Sequence, residues 1–191
     1  MKNLAILDEM ELKLAKERKL VLFDEFTRES VFVLQYQLNK IVETDRALKI
    51  KKPEPVDIII SSYGGNVLDC LPLLGQIEKM KEQGYIINTI TNGYSISCGF
   101  MLAIIGSKGH RKINRYGKML CHQMSTGSVG TLQSMEENME FDKRLWNQMK
   151  QIIMQNTKMS SKFLDIIKKQ KLDYWMFPEE AQALGCVDEI I

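Results

Sequence analysis

Three stretches of this 191-residue chain hold the residue types that acyl transfer needs. In Ser95-Ile96-Ser97-Cys98-Gly99 a serine sits among small neighbours, between a β-rich run and an apolar helical run. Such a turn presents the hydroxyl at a helix N-terminus, where backbone N–H groups face an anion. The pattern is a relative of the G-x-S-x-G elbow with Ser95 in the first glycine position; the plain alternative is that Ser97 only caps the helix. Ser62-Tyr63-Gly64-Gly65 follows another β-rich run, and paired glycines let backbone N–H groups approach a ligand closely, as an oxyanion hole requires. In isolation the same pair is a turn. His122 ends a third run, ahead of a Ser/Gly-rich stretch. With only two histidines in the chain, a serine nucleophile served by an imidazole must use it or His110, which lies in the polar turn Lys108-Gly109-His110-Arg111. Spacing leaves the orienting carboxylate open among Asp142, Asp165, Asp173 and Asp188.

The elements that must position these groups alternate in type. Residues 19–23 form a short β-rich run, and 27–44 carry Val31, Leu34, Leu38 and Ile41 on one helical stripe. Residues 56–60 are a continuous apolar, β-branched run, which predicts a strand buried on both faces. A helix marked by Val67, Leu71, Leu74 and Ile77 follows, with Pro72 tolerated in its early turns. Residues 85–91 predict a second buried strand, Asn92-Gly93 a turn, and 97–105 an apolar helix. Strand, turn and helix in repetition point to βαβ units, with a parallel sheet covered by helices. In an open sheet of that kind ligands bind beyond the carboxyl ends of the strands, where Gly65 and Ser97 both fall. Shorter strands near 111–113 and 118–122 precede a Gly/Ser/Thr stretch at 125–131. One long helical pattern then spans 132–155 with Met135, Met139, Trp146, Met149 and Ile153 on related faces. A helix so long for the chain is expected to project in part and pack against another subunit. Ser160 or Ser161 caps a short helix, and Pro178-Glu179-Glu180 opens a last one that Gly185 stops.

Composition narrows the function classes. Apolar residues make up 45% and charged residues 26%, the balance of a globular chain, and 26 Lys plus Arg against 24 Asp plus Glu leave no basic excess for nucleic acid. No apolar stretch approaches the ~20 residues of a membrane span, and Asp8, Glu9 and Glu11 sit where a signal peptide would need an apolar core. A cytoplasmic protein is expected. Cys70, Cys98, Cys121 and Cys186 have no paired spacing, so they are read as reduced core residues, and no metal is expected.

Several spaced motifs in one order resemble the Clp protease proteolytic subunit family, ClpP, of the ClpP/crotonase superfamily. From about Leu14 onward they are Lys16-Glu17-Arg18 before the first strand, Ser62-Tyr63-Gly64-Gly65 for the family's Ser-Pro-Gly-Gly, and Gly93-x-x-x-Ser97-x-Gly99. Cys121-His122-Gln123 stands for the Ile-His-Gln segment, and Asp173-Tyr174-Trp175-Met176, Glu180-Ala181, Gly185 and Val187-Asp188 fit the family's ending. The resemblance implies an α/β fold of repeated ββα-type units, its parallel sheet covered by helices, plus a long protruding handle helix. It implies one peptidase domain over residues 1–191, with a divergent N-terminal segment at 1–15 and a Gly/Ser-rich strand and handle at about 125–156. Ser97 is then the nucleophile, His122 the general base and acid, and Asp173 the orienting carboxylate, with Asp188 structural. Backbone N–H groups of Gly65 and Cys98 would hold the oxyanion, and Gly64, Gln123, Ser125, Thr126 and Gly127 would bind an extended substrate by β-augmentation.

The implied reaction is peptide-bond hydrolysis through an acyl-enzyme, without metal or cofactor. Its implied setting is a homo-oligomer, a heptameric ring or two stacked, fed with unfolded polypeptide by an AAA+ ATPase such as ClpX or ClpA. Departures point to a divergent member, phage-type or accessory: Tyr63 for proline, Leu172 and Tyr174 in place of ring-tying arginines, and charged residues where the family has an apolar axial loop. Two other readings stand beside this one, a catalytically idle ring subunit and a crotonase-type acyl-CoA enzyme.

Overall fold

The computed structural model describes residues 17–127 and 129–191. The charged N-terminal segment at 1–15, Lys16, and Ser128 of the Gly/Ser/Thr stretch lie outside the described residues. In chain order the elements are β1 (Lys19–Leu22), α1 (Arg28–Ala47), β2 (Val56–Ser62), α2 (Val67–Glu82), β3 (Ile87–Ile96), α3 (Cys98–Ile104) and β4 (Arg111–Ile113). Then follow β5 (Lys118–Cys121), α4 (Leu132–Asn156), α5 (Ser161–Gln170), β6 (Tyr174–Met176), α6 (Pro178–Ala183) and β7 (Glu189–Ile190).

The strands form one sheet in the order β1-β2-β3-β4-β7, all parallel, with β5 also parallel to β3 and β6 antiparallel to β5. Local chemistry starts the helices where the sequence indicates. Thr27 accepts from the Ser30 N–H at 3.2 Å while the Ser30 hydroxyl accepts from the Thr27 N–H at 3.1 Å, a reciprocal cap on α1. Asn66 caps α2 by accepting from the Leu68 N–H at 2.8 Å, and Ser160 caps α5 by accepting from the Phe163 N–H at 3.2 Å.

Strand burial differs from the sequence reading. Along β2, Val56, Ile58 and Ile60 are fully buried and pack into a core with α1, α2 and α3, but Asp57, Ile59 and Ser61 are only half-buried. The same alternation runs through β1 and β3, so one face of the sheet is covered by helices and the other is not. Unbroken apolar runs in this chain therefore mark one buried and one half-buried face.

A second difference lies at Asn92-Gly93, which the sequence reads as a turn. The strand continues through it to Ile96. Thr89, Ile90 and Thr91 pair with β4, and Tyr94, Ser95 and Ile96 pair with β5. Gly93 has φ +120° at the changeover, a conformation closed to most other residues, and the neighbouring β2 carries a register shift between Ile60 and Ser62. A glycine thus bends β3 from one partner to another without ending it.

Strands β6 and β7, which periodicity does not disclose, close the structure. Asp188 accepts from the guanidinium and the backbone N–H of Arg111, which is 2% exposed. The Asn156 carbonyl at the end of α4 accepts from Arg111 and, at 2.8 Å, from the Lys108 ammonium. Burial by itself would raise the Asp188 carboxyl, but the hydrogen bonds and charge of Arg111 outweigh it and hold the pKa below its ordinary value. Among the described residues no helix is long and apolar enough to cross a membrane.

The Arg111–Asp188 pair yields a stability prediction. Asp188→Asn leaves a buried guanidinium short of its counter-charge and is expected to cost about 3 kcal/mol in urea unfolding. Because the folded-state pKa lies below the unfolded one, the pair's contribution is complete above about pH 4 and is lost as pH falls through the lowered value. The variant's unfolding free energy should accordingly converge toward that of the parent in acid.

Candidate active site

The changeover in β3 determines where Ser97 goes. Ile96 is in register with Leu120 of β5, and the Ser97 N–H donates to the Leu120 carbonyl at 3.1 Å. The chain then turns abruptly into α3, leaving Ser97 at φ +57° and ψ −116° with no side-chain cap on the helix. The capping alternative therefore falls, and a non-glycine residue is held in a conformation that costs of order 1–3 kcal/mol.

Gly64 and Gly65 press against this turn. A Cβ on Gly64 would lie 2.7 Å from the Ser97 Cβ and 3.1 Å from the Cys98 nitrogen, and its φ of +98° suits glycine alone. The loop is pinned on several sides. Phe26 brackets it through its backbone, donating to the Gly64 carbonyl at 2.7 Å and accepting from the Asn66 N–H at 2.9 Å. The Ser62 hydroxyl donates to the Asp24 carbonyl at 2.6 Å and accepts from the Gly64 N–H at 3.1 Å. The Cys98 thiol donates to the Gly65 carbonyl at 3.3 Å. The Cys70 side chain holds the Cys98 thiol's pKa below its ordinary value, and the Gly65 and Cys98 N–H groups, both pointing toward that sulfur, add to the effect. Two donors thus converge beside one serine.

His122 and Asp173 meet by register. Cys121 pairs with Tyr174 across the antiparallel β5–β6 ladder, so the next residues on each side, His122 and Asp173, face one another. Nδ1 of His122 lies 3.4 Å from a carboxylate oxygen of Asp173, with the histidine side chain 28% exposed and the aspartate 68%. The other carboxylates left open by spacing are engaged elsewhere: Asp142 accepts from the Thr126 hydroxyl, Asp165 pairs with Lys150, and Asp188 with Arg111. His110 is half-buried, not a solvated turn residue, and its Nδ1 is 2.9 Å from the Asn88 side-chain oxygen. Among the described residues no hydrogen bond joins the Ser97 hydroxyl to His122. Catalytic bonds of this type commonly tighten only when substrate is bound.

The Clp protease family profile matches residues 5–191, nearly the whole chain. This chain belongs to the Clp protease family. It is 29% identical over 185 residues to the ATP-dependent Clp protease proteolytic subunit 1 of Prochlorococcus marinus, covering 92% of this chain and 90% of that relative. The proteolytic subunit 2 of Chlamydia trachomatis is 27% identical over 179 residues, covering 94% of this chain and 83% of its own length. A Deinococcus radiodurans proteolytic subunit is 27% identical over 154 residues, with 80% and 73% covered.

In this Clp protease family member the segment after His122 is extended but unpaired. Gln123 is half-buried; Ser125, Thr126 and Gly127 are exposed, and no strand of the sheet joins them. A cavity of ≈ 190 Å³ opens between this segment and α4, lined by Gln123, Met124, Met139 and Trp146 among others. Sequence reasoning missed the parts that work through backbone atoms or through packing. Phe26 brackets the glycine loop with main-chain groups that any residue carries, so no residue-type signal could have found it. Tyr174, given no packing role in the sequence reading, packs edge-on against Phe163 at 4.9 Å and steadies the strand that follows Asp173.

The strain at Ser97 predicts an inverse relation between stability and chemistry. Ser97→Gly removes the Cβ that the positive φ penalises, and urea unfolding should register a gain of about 1 kcal/mol. Gly64→Ala, which drives a Cβ into the serine, should instead lose at least about 2 kcal/mol by the same measurement.

Proposed function

We propose that this chain is the peptidase subunit of a Clp-type complex and hydrolyses peptide bonds through an acyl-enzyme on Ser97. The observation that carries the reading is the His122–Asp173 contact at 3.4 Å, at the end of the strand whose Leu120 carbonyl receives the Ser97 N–H. His122 takes the Ser97 proton through Nε2 as the hydroxyl attacks the scissile carbonyl, and Asp173 holds the opposite ring nitrogen and balances the imidazolium that forms. The carbonyl oxygen becomes an oxyanion that accepts from the Gly65 and Cys98 N–H groups in place of the Cys98 sulfur, a weaker acceptor. Losing such a donor costs ~10²–10³ in turnover. His122 then returns its proton to the leaving amine, and water repeats the sequence in reverse to free the acyl group.

Residues 123–127 offer unpaired backbone to an extended polypeptide, with Gly64 on the other side of the cleft. The adjoining cavity, with Met124, Met139 and Trp146 in its wall, suits an apolar side chain. Ring assembly belongs to the same proposal. The first half of α4 leaves Leu132 82% exposed and Met139 59% exposed on one face with Met135, an apolar stripe for a second copy to bury. The relatives are named as ATP-dependent subunits, and an AAA+ ATPase delivering unfolded substrate is the corresponding partner here.

One specific observation favours a second reading, an idle ring subunit: the Ser97 hydroxyl and His122 are not hydrogen-bonded to one another. A fluorophosphonate probe separates the two. The peptidase reading expects labelling at Ser97 that Ser97→Ala abolishes; labelling that persists in the variant, or wild-type protein that never labels, would refute it. Native mass spectrometry should find a heptamer or a tetradecamer, and Met139→Glu on the exposed stripe of α4 should shift any double ring toward single rings. A monomer would overturn the assembly.

A further inference from the structure

The glycine loop carries one contact that the backbone brackets do not explain. Tyr63, immediately before Gly64, lays its ring against Tyr94 with centroids 4.3 Å apart and planes inclined at 32°. Tyr94 lies on β3 just past the Gly93 bend, three residues before Ser97. The two rings therefore join the segment that supplies the Gly65 N–H to the segment that supplies the hydroxyl and the Cys98 N–H. Other ties act on the loop as well, among them the pairing of Ser62 with Ser95 in the β2–β3 ladder. Phe26 and Ser62 hold it to the start of the fold, and the Cys98 thiol is a weak donor at 3.3 Å.

We propose that Tyr63 and Tyr94 are positioning residues that set the spacing between the two oxyanion donors by stacking at the end of the β2–β3 ladder, beside its Ser62–Ser95 pair. The proposal rests on the peptidase reading above and deepens it. The Ser62 hydroxyl and the Phe26 backbone hold Gly64 on one side, and the Tyr63 ring adds a tie toward β3 for a loop whose two glycines tolerate many conformations. An aromatic pair of this geometry is worth about 0.5–1.5 kcal/mol beyond the area it buries. That is enough to favour one loop conformation about two- to tenfold over its alternatives. Tyr63 is 65% exposed, so its ring is not recruited as core, and Tyr94 beside it pushes the phenol above its ordinary value.

The test compares wild type with Tyr63→Ala, Tyr63→Phe, Tyr94→Ala and the double alanine variant on a short fluorogenic peptide. Tyr63→Ala should lower kcat about tenfold with KM within about twofold, because the donors are misplaced only where charge develops. Tyr63→Phe keeps the stacked ring and should retain wild-type kcat. The double variant should be no worse than either single one, since one contact is lost in all three. The rate of fluorophosphonate labelling should fall by the same factor as kcat, because the phosphonyl oxygen occupies the same pair of donors, while the pH midpoint of the basic limb of the rate profile stays put. Tyr63→Leu keeps apolar bulk without a flat ring and carries the same expectation should Tyr63→Ala lose its assembly. Labelled wild type with an unchanged Tyr63→Ala kcat would overturn the stack alone, as would a loss confined to KM or a Tyr63→Phe variant as slow as Tyr63→Ala. Wild type that never labels would overturn the peptidase reading and this inference together.

Discussion

Everything at the candidate site depends on one strand keeping two partners along the same edge. β3 pairs with β4 up to Thr91, bends at Gly93, and pairs with β5 from Tyr94 to Ile96. Had the chain turned away at Asn92-Gly93, the serine would leave the sheet beside β4 and far from His122. By bending instead, β3 runs one partner further and ends in register with Leu120, two residues before the histidine. The parallel ladder is thus a ruler that brings a hydroxyl and an imidazole to one end of the sheet, and the antiparallel addition of β6 brings Asp173 to the imidazole by the same logic.

Holding those groups requires strain, and the surroundings supply what maintains it. Ser97 is kept at positive φ by a backbone bond behind it to Leu120 and by a fully buried helix ahead of it, in which every residue from Cys98 to Ile104 lies in the core. Neither anchor can relax without opening buried apolar surface, at about 1.5–3 kcal/mol for each large side chain exposed. The glycine loop is held by the same principle with different groups, through main-chain bonds to Phe26 and a serine bridge to Asp24. Stability invested in α3 and β2 is what holds two N–H groups beside the serine with only a weak sulfur acceptor, the Cys98 thiol.

Helix α4 shows how one periodic pattern can serve two environments. Its second half buries Leu145, Trp146, Met149 and Ile153 against the core, while Leu132, Met135 and Met139 extend the related faces into solvent. The periodicity is visible in the sequence throughout, but it does not reveal that the core ends part-way along. Flexible methionines on the free half suit a surface that repacks against a partner, the role proposed for it above.

Much of this was legible before any coordinates. The boundaries of α4, α5 and α6 follow from hydrophobic spacing and from capping residues such as Ser160, because those signals act within a few residues of the chain. Ser97, His122 and the paired glycines each have a plain structural reading taken alone, and stood out because Gly65 and Ser97 fall beyond the carboxyl ends of strands and all of them follow the order of one family's motifs. What local pattern could not decide was every relation between segments: that Asn92-Gly93 bends a strand, that β2 and β3 keep one half-buried face, that β6 and β7 exist at all. Spacing by itself also left four aspartates equal as partners for His122, and the family resemblance alone singled out Asp173. Only the β5–β6 register brings Asp173 to the imidazole while Lys150, Thr126 and Arg111 engage the others. Residue types and short spacings therefore determined which chemistry the chain carries, while the pairing of strands distant in sequence decided which of those groups meet, because strand register depends on contacts that no single segment contains.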